Sequence, residues 1–112
     1  MARNVAKNFV KKGGDIKPLA TGRGSCLATD RITVDGELVG WMYREERDND
    51  VDSGWRFFAG DETDEYASDA ANFELYDVNT IANYDPDIIP YLDAPIGSAY
   101  ARDPSSGEFV PE

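Results

Sequence analysis

The segment Gly54–Gly60, Gly-Trp-Arg-Phe-Phe-Ala-Gly, constrains the fold more than any other stretch. Side chains alternate between the two faces of a strand. Trp55, Phe57 and Ala59 therefore fall on one side, and Arg56 and Phe58 on the other. Aromatic residues on both sides require either a central strand covered on both faces or a partner on one of them. The chain has 112 residues, 41% hydrophobic and 12% aromatic, which is apolar material for one small core. A chain of this length buries roughly two-thirds of its unfolded surface, enough for one core and no second domain.

Other local signals surround that strand. Ile32-Thr33-Val34 and Leu38-Val39 flank Asp35-Gly36, a pair favoured in the tight type I′ turn because both central residues need positive φ. The expected hairpin pairs Ile32 with Val39, Asp30 with Trp41 and Ala28 with Tyr43. It puts Ala28, Ile32, Val34, Val39, Trp41 and Tyr43 on the core side and Thr29, Arg31, Thr33, Leu38, Met42 and Arg44 on the other. Asp30 is the misfit, a carboxylate on the core side: either a site acid or, as favoured, a residue at a bulge or an edge or bonded to nearby backbone amides. Residues 61–72 suit short helical turns with Thr63 or Ser68 as N-cap. Phe73–Tyr76 reads as a short strand. Asp77 caps a helix with Val78, Ile81 and Ala82 on one face, and Asp85-Pro86 starts another turn, which Pro90 keeps short. Gly97–Arg102 is a late strand, and Glu108–Glu112 a tail. Strands, then short helices, then a strand describe an α+β fold: a mostly antiparallel sheet, an N-terminal Asp-Gly hairpin and two or three short helices.

Charge divides the chain. Residues 1–24 carry six basic residues and one acidic residue, net +5, and residues 25–112 carry five Arg and 21 acidic residues, net −16. Residues 1–12 have the spacing of a short amphipathic helix with Val5, Phe9 and Val10 on one side, ended by Gly13-Gly14, and 13–24 read as a linker. The expected organisation is a basic leader or linker over 1–24, either mobile or folded back onto the body, and one acidic domain over 25–112. A body at −16 repels nucleic-acid phosphates and anionic membranes and attracts basic proteins. The start of the chain has no apolar run of signal-peptide length, and no stretch approaches the roughly 20 apolar residues of a membrane span, so a cytoplasmic location is expected. A monomer is favoured.

The chain has no His and one Cys. That excludes an imidazole base, a Ser-His-Asp or Cys-His nucleophile, a His-ligated zinc and an internal disulfide. Asp48-Asn49-Asp50-Val51-Asp52 has the alternating oxygens of a calcium loop, but Ser53 and Ala59 stand where that loop needs Gly and Glu. Carboxylate pairs among Asp61, Glu62, Asp64, Glu65, Asp85 and Asp87 arise by chance in a chain with 22 acids and carry no glycosidase signal. Gly22-Arg23-Gly24-Ser25 lacks the ending of a phosphate loop, and Cys26, inside a strand, reads as a buried inert thiol. No cofactor, metal or catalytic residue is expected.

What remains is a surface. Glu45–Asp52 and Asp61–Glu65 flank the aromatic strand, and if both lie at one end of the sheet they form an acidic rim around aromatic anchors. The candidate partner-binding residues are Glu45, Glu46, Asp48, Asp50, Asp52, Trp55, Phe58, Asp61, Glu62, Asp64 and Glu65. The competing reading makes Trp55 and Phe57 core and leaves the acids solvated.

From Ser25 to about Glu108, the segments Gly40–Glu46 (GWMYREE), Asp52–Tyr66 (DSGWRFFAGDETDEY) and Asn83–Asp103 (NYDPDIIPYLDAPIGSAYARD) resemble the immunity-protein-33-like family of small bacterial domains. Trp41, Gly54, Trp55, Phe57 and Gly60 correspond to its shared aromatic and glycine positions. The resemblance implies a non-enzymatic protein that binds a cognate toxin and blocks it. A toxin that holds nucleic acid is basic, so an acidic domain can occupy its site. The alternatives are a housekeeping regulatory or scaffold domain and, third, an acidic-loop metal-binding or hydrolytic role.

Overall fold

A computed structural model describes residues 7–112. Its centre is a six-stranded sheet built from β1 (Ser25–Thr29), β2 (Trp41–Arg44), β3 (Asp52–Phe58), β4 (Phe73–Asp77), β5 (Ala99–Arg102) and β6 (Phe109–Pro111), in the spatial order β4-β1-β3-β2-β5-β6. Only the β1–β3 pair is parallel; the other neighbours are antiparallel. Three short α-helices accompany it among the described residues: α1 (Asp30–Thr33), α2 (Asp64–Ala67) and α3 (Val78–Tyr84), with a 3-10 turn at Pro86–Tyr91. The α+β class, the mostly antiparallel sheet and the central place of the aromatic strand are as expected.

The Asp-Gly hairpin does not form. β1 and β2 are not neighbours; β3 lies between them. Asp30 begins a helical turn instead, closed by Val34 N–H to Asp30 O at 2.9 Å and Gly36 N–H to Ile32 O at 3.1 Å. The positive φ of Gly36, 81°, turns the chain at the end of that helix, a role glycine fills as readily as a hairpin corner. Asp30 is not beside Trp41: it sits at the N-terminus of α1, paired with Lys7 at 3.0 Å. The loss of the hairpin resets the alternation in β2. Met42 is buried, and Trp41 and Tyr43 are on the opposite side, only partly covered. Of the amphipathic helix expected over 1–12, residues 1–6 lie outside the described residues, and 7–12 are not helical.

One face of the sheet carries Cys26, Ala28, Met42, Trp55, Phe57 and Phe109, buried against Ile32 of α1, Val78, Ile81 and Ala82 of α3, and Ile88 and Leu92. Side-chain caps start α2, α3 and the Pro86–Tyr91 turn. Thr63 accepts from Tyr66 N–H, Asp77 from Asn79 N–H and Asp85 from Asp87 N–H. Residues 17–20 lie along α3, where Asn79 Oδ1 accepts from the amides of Leu19 and Ala20, each at 2.8 Å.

β3 carries a bulge. Ser25 pairs with Asp52, but Leu27 pairs with Arg56, so two extra residues sit on β3. Gly54 makes the bulge with φ +89°, and a Cβ there would collide with the Glu45 carbonyl oxygen. Gly54→Ala is expected to cost at least about 1–2 kcal/mol of folding stability. Urea unfolding against a control Gly14→Ala, a glycine with open space around it, measures this.

Candidate functional site

Among the described residues, the second face of the sheet carries the four-residue α2, whose Ala67 stands beside Phe58 and Phe73, and no longer helix. By register it carries Leu27, Leu75 and Phe73 on one side, Arg56 and Phe58 in the middle, and Trp41, Tyr43, Ala99 and Ala101 on the other. Its aromatic rings form a continuous run. Phe73 meets Phe58 edge-on at 5.7 Å, Phe58 meets Trp41 at 4.9 Å, and Trp41 meets Tyr43 at 5.0 Å. All four rings are partly exposed, and Leu75 is 71% exposed. Two grooves cut this face at α2. One, about 590 Å³, runs between Leu27, Phe73 and Leu75 and Ala67. The other, about 440 Å³, has Trp41 and Phe58 in its lining.

Arg56 lies in the plane of this face, only 3% exposed. Asp52 takes its guanidinium through two bonds of 2.9 and 2.8 Å, Glu45 accepts from Nε at 2.6 Å, and Asp48 stands at 3.6 Å. In a regular strand, residues four apart lie roughly 13 Å from each other. The bulge at Ser53-Gly54 folds Asp52 back towards Arg56 and lets the pair close. Asp52 also accepts from the amides of Asp48 and Gly54, which fastens the acidic loop to the sheet. The Arg56 guanidinium and these amides hold the Asp52 carboxyl well below the usual carboxylate range. Burial first, and then the Glu45 charge, push the Tyr43 hydroxyl up.

The candidate residues separate into three groups. Trp55 is 1% exposed, its indole N–H on Leu92 O at 3.2 Å, and Asp52 is buried, so neither presents to a partner. Phe58 is on the open face. Glu45, Glu46, Asp48 and Asp50 lie in the β2–β3 connection, and Asp61, Glu62, Asp64 and Glu65 follow the far end of β3. The two acidic runs are therefore at opposite ends of the aromatic face and do not form one rim, because β2 and β3 are antiparallel and their connection closes one end only. Asp61 is held by Arg31 at 2.6 Å, and Glu62 accepts from the Thr29 hydroxyl and the Ala59 and Gly60 amides. Trp41, Tyr43, Leu27, Phe73 and Leu75 are the surface residues that the sequence reasoning missed. Their signal was the alternation in Trp41-Met42-Tyr43 and in Phe73-Glu74-Leu75, hidden in the first case by the assumed hairpin.

Cys26 is fully buried, and its thiol is pushed up by burial and then by Asp77. Among the described residues, no buried side-chain polar atom lacks a partner and no three ligating residues are placed to share a metal ion. No helix among them is long and apolar enough to cross a membrane.

The family model for the Immunity protein Imm33 domain matches residues 26–111. The chain belongs to the Imm33 family. The Imm33 match begins in β1 and ends in β6, so it takes in the whole sheet and both of its faces. No curated protein and no solved structure matches the chain.

The buried ion pair of this Imm33 domain makes its stability depend on pH in acid. A carboxyl whose value is depressed on folding contributes fully above its unfolded value, near 3.8, and the contribution drains away as the pH falls below that. Asp52→Asn is expected to flatten the fall in stability between about pH 5 and pH 2. Arg56→Leu, which strands the buried Asp52, is expected to cost about 3–5 kcal/mol at neutral pH. Urea unfolding across that pH range measures both.

Proposed function

We propose that this protein is a non-enzymatic immunity protein that works in the cytoplasm by docking its open sheet face against a cognate basic toxin. The observation that carries this reading is the pairing of a partly exposed aromatic run, Trp41, Tyr43, Phe58 and Phe73, with acidic loops at both of its ends, in a chain of the Imm33 family. The rings supply rigid contact area of the kind that anchors protein interfaces. Asp48, Asp50, Asp64 and Glu65 are exposed and complement a surface built to hold phosphate. They raise the rate of encounter and select for a basic partner. Blocking a toxin in this way needs occupancy of its substrate surface and no chemistry from the immunity protein, which fits a chain without histidine.

The product of an adjacent toxin-like gene is expected to co-purify with the protein. Its association rate should fall by roughly tenfold or more from low to high salt, and Leu75→Ala or Tyr43→Ala should speed dissociation while leaving folding intact. A rate indifferent to salt would remove the electrostatic part of the reading. Failure of every neighbouring product to bind would remove immunity in favour of a regulatory or scaffold role.

A further inference from the structure

We infer that the groove floored by Trp41 and Phe58 is a subsite for a cationic side chain of the partner, an arginine, with an apolar neighbour of that arginine lodged in the adjoining groove. This rests on the docking reading above and specifies its chemistry. The two rings pair across β2 and β3 with centroids 4.9 Å apart and planes 43° apart, and both line one cavity of about 440 Å³. A π face attracts a cation, and the flat guanidinium of arginine stacks on it better than an ammonium does.

Three carboxylates border the cavity: Glu62, Asp64 and Glu112. Glu112 Oε1 accepts from the Trp41 indole N–H at 2.8 Å, which fixes the ring and leaves Oε2 without a bond among the described residues. The Asp64 side chain makes no hydrogen bond or ion pair among those residues. Glu62 is held by the Thr29 hydroxyl and two amides, neutral donors that leave its charge uncompensated. Arg102 also borders the cavity, but its guanidinium is taken up by Asp85, Asp87 and the carbonyls of Val39 and Gly107. The cavity thus combines an aromatic floor with negative charge that forms no ion pair among the described residues, since Arg102 is engaged by Asp85 and Asp87. Ala67 separates it from the apolar groove of Leu27, Phe73 and Leu75, so a basic segment with an apolar residue beside its arginine fits both.

The test uses the full chain and no toxin, which separates it from the immunity reading. The ¹⁵N-labelled protein is titrated with N-acetyl-arginine amide and with N-acetyl-citrulline amide, its neutral analogue. The Trp41 indole and Gly60 amide signals are expected to move with the arginine compound at millimolar concentration, while the buried Trp55 indole stays in place. Citrulline, or the exposed-charge variant Asp64→Asn/Glu112→Gln, should weaken the response about two- to fivefold. An unmoved Trp41 signal, an equal response to citrulline, or an unchanged affinity in a double variant with a native spectrum would overturn the subsite. In each of those cases toxin binding by the rest of the face could still be measured independently.

Discussion

The bidentate contact between Arg56 and Asp52 is the constraint on which the second face of the sheet depends. A guanidinium buried in a sheet must regain what it loses in leaving water, and here two carboxylates and a backbone carbonyl supply it. The geometry exists because β3 bulges at Ser53-Gly54, and the bulge exists because residue 54 is glycine at φ +89°. The same contact draws in the β2–β3 connection, since Asp52 also receives the Asp48 and Gly54 amides. A charge that would otherwise interrupt an apolar surface thus becomes the fastening of an acidic loop at one end of it.

The two faces divide the work. The inner face, with Trp55, Phe57 and Met42 against α1 and α3, provides the burial that makes the chain fold. The outer face contributes less to the core and keeps Trp41, Tyr43, Phe58 and Phe73 accessible. The acids flanking that face, Asp48, Asp50, Asp64 and Glu65, are exposed and remain hydrated at little cost. On the proposed docking reading, that separation leaves one face for stability and the other for a partner, with the negative charge acting at range and the rings on contact.

Much of the architecture was legible in the residues, and the reasons differ by element. Gly-Trp-Arg-Phe-Phe-Ala-Gly announced a central strand because aromatic residues fall on both of its faces. Thr63, Asp77 and Asp85 announced helix starts because a side-chain acceptor before a helix serves an amide that has no other local partner. Asp35-Gly36 misled because positive φ serves a helix end as well as a hairpin, and the long-range pairing of β1 with β3 leaves no mark in local sequence. That single error inverted β2 and hid Trp41 and Tyr43. The Asp52–Arg56 contact was equally hidden, since the two residues come together only through the bulge. Of the candidate residues, Phe58 and the loop acids lie around the open face, while Trp55 and Asp52 are interior.

The most direct measurement of the docking account is hydroxyl-radical footprinting of the protein alone and in complex with its partner toxin. The account predicts that Trp41, Tyr43 and Leu75 lose reactivity in the complex while Leu19, exposed beside α3, keeps it. Protection of Leu19 with Trp41, Tyr43 and Leu75 unchanged would place the partner on the helical side and contradict the account.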